Sequence, residues 1–115
     1  MAISQLDTAW LAGVLEGDGC FSVMRTHGGY RAASIALAMS DKDVVERAAT
    51  LLGSNLVDGT TTTKGGKTMW RTRLSRREDV AQIARCLYPF MGVRRRAKID
   101  ELLAFIEQRR ASLAA

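Results

Sequence analysis

The sequence predicts an α+β domain of order αββαββα, a four-stranded antiparallel sheet with its helices on one face. Three observations point there. Apolar residues recur at helical spacing in four stretches; two pairs of short, strand-like segments each close on a glycine-bearing turn; and a helix–hairpin unit occurs twice in succession. No linker or low-complexity run divides the 115 residues, so 1–115 reads as a single domain with a modest core.

Ser4 begins the first helix as N-cap, with Asp7 in its first turn, and Leu6, Trp10, Leu11, Val14 and Leu15 form its apolar face. From Cys20 to Thr26 the pattern has period two, with Phe21 and Val23 on one side and Cys20, Ser22, Met24 and Thr26 on the other. His27-Gly28-Gly29 turns the chain. Arg31 to Met39 then alternates again, with Ala33, Ile35, Leu37 and Met39 toward a core and Ala32, Ser34, Ala36 and Ala38 opposite. Ser40 is the expected cap of the second helix, with Asp43 at the capping-box position, and Gly53 its stop.

Gly65-Gly66 marks a two-residue hairpin turn that would pair Lys64 with Lys67, Thr62 with Met69, Thr60 with Arg71 and Asp58 with Arg73. Those residues share one face, and Trp70, Thr72 and Leu74 point to the other. Ser75-Arg76-Arg77-Glu78 reads as a capping box for a third helix buried through Val80, Ile83, Ala84 and Leu87, with Pro89 after its end. A last helix runs from about Val93 to Arg110.

Composition narrows the class. At 47% hydrophobic and 25% charged residues the chain is an ordinary globule, which excludes disorder and fibres. There is no run of eighteen apolar residues and no basic-then-apolar leader, so neither membrane insertion nor secretion is expected. Cys20 and Cys86 do not form a Cys-x-x-Cys pair and have only His27 for company. That argues against zinc and for two core thiols in a reducing compartment. Between Leu56 and Arg77 stand Lys64, Lys67, Arg71, Arg73, Arg76 and Arg77 against the single acid Asp58, a surplus equal to the net +5 of the whole chain. Such a localised basic surface is the footprint of a polyanion, nucleic acid first, although a solvated hairpin would also carry it.

The first helix holds two anomalies. Gly13 and Gly17 lie four apart, each at a cost of about 1 kcal/mol relative to alanine in a helix interior. Close approach of a second helix backbone would account for them. Glu16 and Asp18 crowd the negative end of the helix, which disfavours each carboxylate by roughly 0.3–1 kcal/mol unless a cation is present. Two helices touching through their glycines, with acidic ends side by side over a divalent metal, satisfy both. A third anomaly is Arg94-Arg95-Arg96 at the positive end of the last helix. A phosphate there would relieve the repulsion, and a solvated basic turn is the alternative.

Leu11-Ala12-Gly13-Val14-Leu15-Glu16-Gly17-Asp18-Gly19 closely resembles the signature of the LAGLIDADG homing endonucleases, with Glu16 for the first aspartate, and the element order resembles that fold across nearly the whole chain. The resemblance implies a saddle-shaped sheet set in the major groove of double-stranded DNA. It also implies a homodimer on a long pseudo-palindromic site, whose interface carries Trp10, Gly13, Val14, Glu16 and Gly17. The metal falls to Asp18, with the Gly17 carbonyl beside it. The metal that the resemblance implies is Mg²⁺, with Ca²⁺ or Mn²⁺ as substitutes, and the implied cleavage is across the minor groove.

Arg94 matches a basic residue that reaches the scissile phosphate. The DNA-facing set is Ser22, Met24, Thr26, Tyr30, Ser34, Asp58, Thr60, Thr62, Lys64, Lys67, Met69, Arg71 and Arg73. No small-molecule substrate is implied. The setting is cytoplasmic or organellar, with intron or intein mobility. Met39 departs from the pattern, standing where a water-positioning glutamine is common. The alternative is therefore a DNA-binding regulator of the same descent without nuclease activity.

Overall fold

The Ser4 hydroxyl accepts the Asp7 N–H at 3.1 Å, and the first helix starts there. The computed structural model describes residues 3–25, 28–54, 56–61 and 65–114. Its elements are α1 (Gln5–Asp18), β1 (Gly19–Arg25), β2 (Arg31–Met39), α2 (Lys42–Leu52), β3 (Asp58–Thr61), β4 (Thr68–Leu74), α3 (Arg77–Leu87), a 3₁₀ turn (Tyr88–Phe90) and α4 (Val93–Ala114). The strands form one antiparallel sheet in the order β1-β2-β4-β3. One face is covered: Phe21, Ala33, Ile35, Leu37 and Leu74 meet Leu11 and Leu15 of α1, Val45 and Leu52 of α2, Val80 and Leu87 of α3, and Ile99, Leu102 and Ile106 of α4. Each fully buried leucine or isoleucine contributes about 1.5–3 kcal/mol over exposure, so this layer holds the fold together.

α1 passes into β1 with no linker. Gly19 closes the helix through its N–H to the Leu15 carbonyl while already extended at φ −82°, ψ 169°. A Cβ at Gly19 would lie 2.7 Å from the Leu15 Cα and carbonyl oxygen, so only glycine allows so abrupt a change. Asp18, one residue earlier, is thereby fixed at the junction of helix and sheet. Gly53 ends α2 in the left-handed region at φ 73°, and the Ser54 N–H returns to the Ala49 carbonyl. Among the described residues, no helix is long and apolar enough to cross a membrane.

Several sequence expectations are corrected. Leu6 is 85% exposed, because the buried stripe of α1 is Thr8, Leu11, Ala12 and Leu15. α2 takes Asp41 rather than Ser40 as N-cap; Lys42 sits 4.5 Å over the Trp70 ring and docks the first turn there. α3 starts after Arg76, and Glu78 does not turn back to Ser75 because its carboxylate takes the Arg110 guanidinium. Cys20 and Cys86 are exposed rather than core thiols. Finally, β3 pairs two residues out of the expected register: Asp58 faces Arg71, Gly59 faces Trp70 and Thr60 faces Met69. The indole decides this, since a Cβ at Gly59 would stand 2.7 Å from the ring. A shift of two keeps every side chain on its expected face.

Candidate nucleic-acid interface and acidic centre

Alternation leaves the other face of the sheet without a helix. On β1 and β2 it carries Cys20, Ser22, Met24, Ala32, Ser34, Ala36 and Ala38, mostly small or apolar. Ser34 is 4% exposed and its hydroxyl meets that of Ser22 at 3.2 Å, so both are committed to each other. On β3 and β4 the same face carries Asp58, Thr60, Met69, Arg71 and Arg73, all exposed but the half-buried Met69. Lys67 and Tyr30 are exposed at the strand ends. Thr26, Thr62, Lys64 and His27 lie outside the described residues.

Asp18 opens onto this face. A cleft of about 210 Å³ is lined by Asp18, Cys20, Ala36, Leu37, Ala38, Arg71, Thr72 and Arg73. Register explains the grouping. Arg73 stands opposite Ala36, which stands opposite Cys20, and Arg71 stands opposite Ala38. The alanines leave the floor low, so acid and guanidinium groups share one hollow. Among the described residues, neither Asp18, Arg71 nor Arg73 makes an ion pair. Ser54 braces the far side: its hydroxyl donates to the Arg73 carbonyl at 3.0 Å and accepts from Thr72 at 3.1 Å.

Asp18 is the acid of this hollow, and no group of three potential ligands occurs among the described residues. One carboxylate and the terminal carbonyls of α1 could offer a hard cation oxygen donors. The face of α1 that leads to Asp18 is bare. Gly13 and Gly17 are exposed, and a Cβ on either would meet nothing within 4 Å. Leu6 lies on the same stripe, and Val14 flanks it half-buried. Trp10 is half-buried, its ring covered at 3.9 Å by Arg47, which also pairs with Asp7 at 3.6 Å.

The three arginines in the first turn of α4 separate. Arg96 stacks over Tyr88 at 5.5 Å, and Arg95 is held by Glu16, its side chain 13% exposed. Arg94 is exposed. The positive end of α4 is met from within the chain. The Glu16 carboxylate lies there, accepting the Gly92 N–H, with Arg95 Nε 3.7 Å away. The sequence marks Arg95 only as one of three neighbouring arginines and does not mark Gly92. The signal available was an acid misplaced at one helix end and bases misplaced at another.

The LAGLIDADG-like domain family model matches residues 5–87, which run from the start of α1 to the end of α3. The chain belongs to the LAGLIDADG family. The fold agrees with LAGLIDADG proteins of known structure. The homing endonuclease I-CvuI, solved with the I-CreI DNA target and magnesium, aligns at TM-score 0.70 and 20% identity, over 90% of this chain and 67% of that one. The group I intron-encoded I-CeuI, solved with DNA, aligns at TM-score 0.69 and 13% identity over 96% and 58%. I-GzeII, also solved with its DNA target, aligns at TM-score 0.70 and 19% identity over 97% of this chain and 38% of that one. No curated protein matches the chain by sequence. In this LAGLIDADG chain the motif runs from Leu11 to Gly19, so Gly13, Gly17 and Gly19 are its glycines and Asp18 its last acid.

Proposed function

We propose that this chain is one subunit of a homodimeric, metal-dependent endonuclease that cuts a long pseudo-palindromic site in double-stranded DNA. The observation that carries the reading is the position of Asp18: an exposed carboxylate without an ion-pair partner among the described residues, at the tip of a helix with a bare glycine face, in a hollow that it shares with Arg71 and Arg73. Packing two such helices face to face brings two Asp18 carboxylates together and completes the site, with the Gly17 carbonyl beside each. The donor set is oxygen throughout, which suits Mg²⁺, or Ca²⁺ or Mn²⁺ in its place. A divalent cation bound there supplies Lewis acidity toward water and toward the leaving 3′ oxygen.

The chain's own groups do the rest. Arg94, exposed at the start of α4, faces charge on the scissile phosphate; as a permanent cation it stabilises that charge without moving a proton. Arg71 and Arg73 are placed to read guanine edges in the major groove, and Asp58 a cytosine amine, each good bidentate pair worth about 1–3 kcal/mol of discrimination. Lys67 holds backbone phosphate. The small open face of the first hairpin reads DNA through Met24, Tyr30 and bridging water. Partner DNA places the protein in a cytoplasmic or organellar compartment, in the service of intron or intein mobility.

Incubating the purified protein with a randomised-site plasmid library, in Mg²⁺ and in EDTA, tests the reading. Cut ends that need metal support it. Retention of specific sites without cutting favours the second reading, a DNA-binding regulator. Met39 supports that second reading, for it is half-buried against the core and offers no polar group to the open face. Asp18→Asn is expected to reduce cleavage at least a thousandfold while binding persists. Nicking at the wild-type rate would overturn the metal assignment.

A further inference from the structure

The two carboxylates of the motif lie two residues apart and have opposite surroundings. Asp18 is exposed, whereas Glu16 is bound from two directions. Its carboxylate accepts the Gly92 N–H and stands 3.7 Å from Arg95 Nε. Its backbone carbonyl accepts from Arg95 Nε at 3.3 Å and Nη2 at 3.2 Å. Gly92 has no side chain where one would intrude, a Cβ there falling 3.0 Å from Glu16 Oε1. The segment bearing Gly92 is itself fixed: Met91 is buried and its N–H reaches the Tyr88 carbonyl at 3.2 Å, while Tyr88 meets Asp100 of α4 at 3.3 Å.

We infer that Glu16, Gly92 and Arg95 form a latch that fixes Asp18 relative to Arg94, making Glu16 and Arg95 positioning residues for DNA cleavage. The inference rests on the nuclease reading above. Its logic is positional. Asp18 follows Glu16 by two residues at the last turn of α1, and Arg94 precedes Arg95 in the first turn of α4. Elements separated by more than seventy residues are joined through one carboxylate and one guanidinium that touch neither the open sheet face nor the cleft. An Arg with its side chain 13% exposed, sharing its donors between a carboxylate and a carbonyl, has little freedom. Asp18 and Arg94 are both exposed, and among the described residues neither side chain makes an ion pair. Displacing a reacting group by about 1 Å can cost about a hundredfold in rate, so the latch matters to the chemical step rather than to holding DNA.

The test uses the purified protein on a target recovered from the plasmid library, with single-turnover cleavage in Mg²⁺ and equilibrium DNA binding in Ca²⁺ measured side by side. Arg95→Ala and Glu16→Gln are expected to slow single-turnover cleavage at least tenfold, change the binding constant less than twofold, and raise the Mg²⁺ concentration needed for half-maximal rate. Arg95→Lys, which keeps the charge and loses the fork, is expected to recover part of the rate. Gly92→Ala removes no charge and only crowds Glu16. It is expected to slow cleavage in the same way, and it carries the test if Arg95→Ala fails to fold. Variants that melt lower yet cut bound DNA at the wild-type rate would reduce the latch to a structural contact and overturn the inference. A wild-type protein that binds its site and never cuts it would instead overturn the nuclease reading, and the latch with it.

Discussion

The two faces of α1 are made of similar residues and meet opposite fates. Inward, Leu11, Ala12 and Leu15 are at most 1% exposed and lie against the sheet and α3. Outward, Leu6 is 85% exposed, and Gly13 and Gly17 have open space where side chains would be. Hydrophobicity alone does not distinguish them. Size does: the inner face uses branched side chains that fill the core, and the outer face narrows to glycine, where only another backbone gains from the gap. One helix thus serves folding on one side and, in the proposed dimer, assembly on the other, with Asp18 at the end of both.

The largest effect that tests this contrast is on the inner face. Leu15→Ala leaves a cavity under the sheet and is expected to cost about 2–5 kcal/mol in denaturant unfolding. A loss below 1 kcal/mol would mean that the inner face is not the structural one. Gly19→Ala comes next. Its Cβ would meet the Leu15 backbone as well as the Leu15 side chain, so relief requires moving the helix end, at about 1–3 kcal/mol. The same shift displaces Asp18, so cleavage is expected to fall further than stability alone predicts. The outer face gives the opposite signature. A Cβ at Gly13 meets nothing within 4 Å and leucine is the better helix former, so for Gly13→Leu the isolated subunit is expected to be unchanged or up to about 1 kcal/mol more stable. Light scattering should nevertheless show monomers. A dimer that survives Gly13→Leu would place the subunit contact elsewhere.

How far the sequence could be read follows the same division. Local signals carried well where one physical rule decides. Ser4 capping Asp7, Gly53 taking a positive φ, and period-two alternation placing Arg71 and Arg73 on the open face are all choices a few neighbouring residues make. What failed was decided by residues distant in sequence. The Gly65-Gly66 turn suggested one register for β3, but the fit of Gly59 under Trp70 selected another. Leu6 fits an apolar helical stripe as well as Leu11 does, and only the packed sheet shows which stripe is buried. The position of Asp18 at the exposed end of α1 was legible because a carboxylate at a helix C-terminus is unfavourable by itself. The role of Glu16 was not, since its partners Gly92 and Arg95 are contributed by another element.

The smallest expected effect comes from a surface that belongs to neither face of α1. Arg110 of α4 donates from Nε to Glu78 of α3 at 2.9 Å, and its other nitrogens reach Glu78 and Glu107. The hydrogen bonds from Arg110 hold the Glu78 carboxyl below its ordinary value of 4.5; desolvation opposes them, and the charges of Arg110, Arg77 and Arg85 add to the lowering. A carboxyl whose pKa falls on folding stabilises the native state above its unfolded pKa and loses that contribution as pH drops through the folded value. Glu78→Gln should therefore melt slightly lower than the wild type at pH 7, with the difference fading below about pH 4 and in high salt. The pair is exposed to water, so the shift is expected to be near the limit of calorimetric detection. Because Glu78 neither lines the Asp18 hollow nor lies within 4 Å of a Cβ at Gly13 or Gly17, dimerisation and cleavage are expected to stay at wild-type levels. If Glu78→Gln instead weakened the dimer, the subunit contact would have to include α3 and α4, and the contrast between the two faces of α1 would no longer account for assembly.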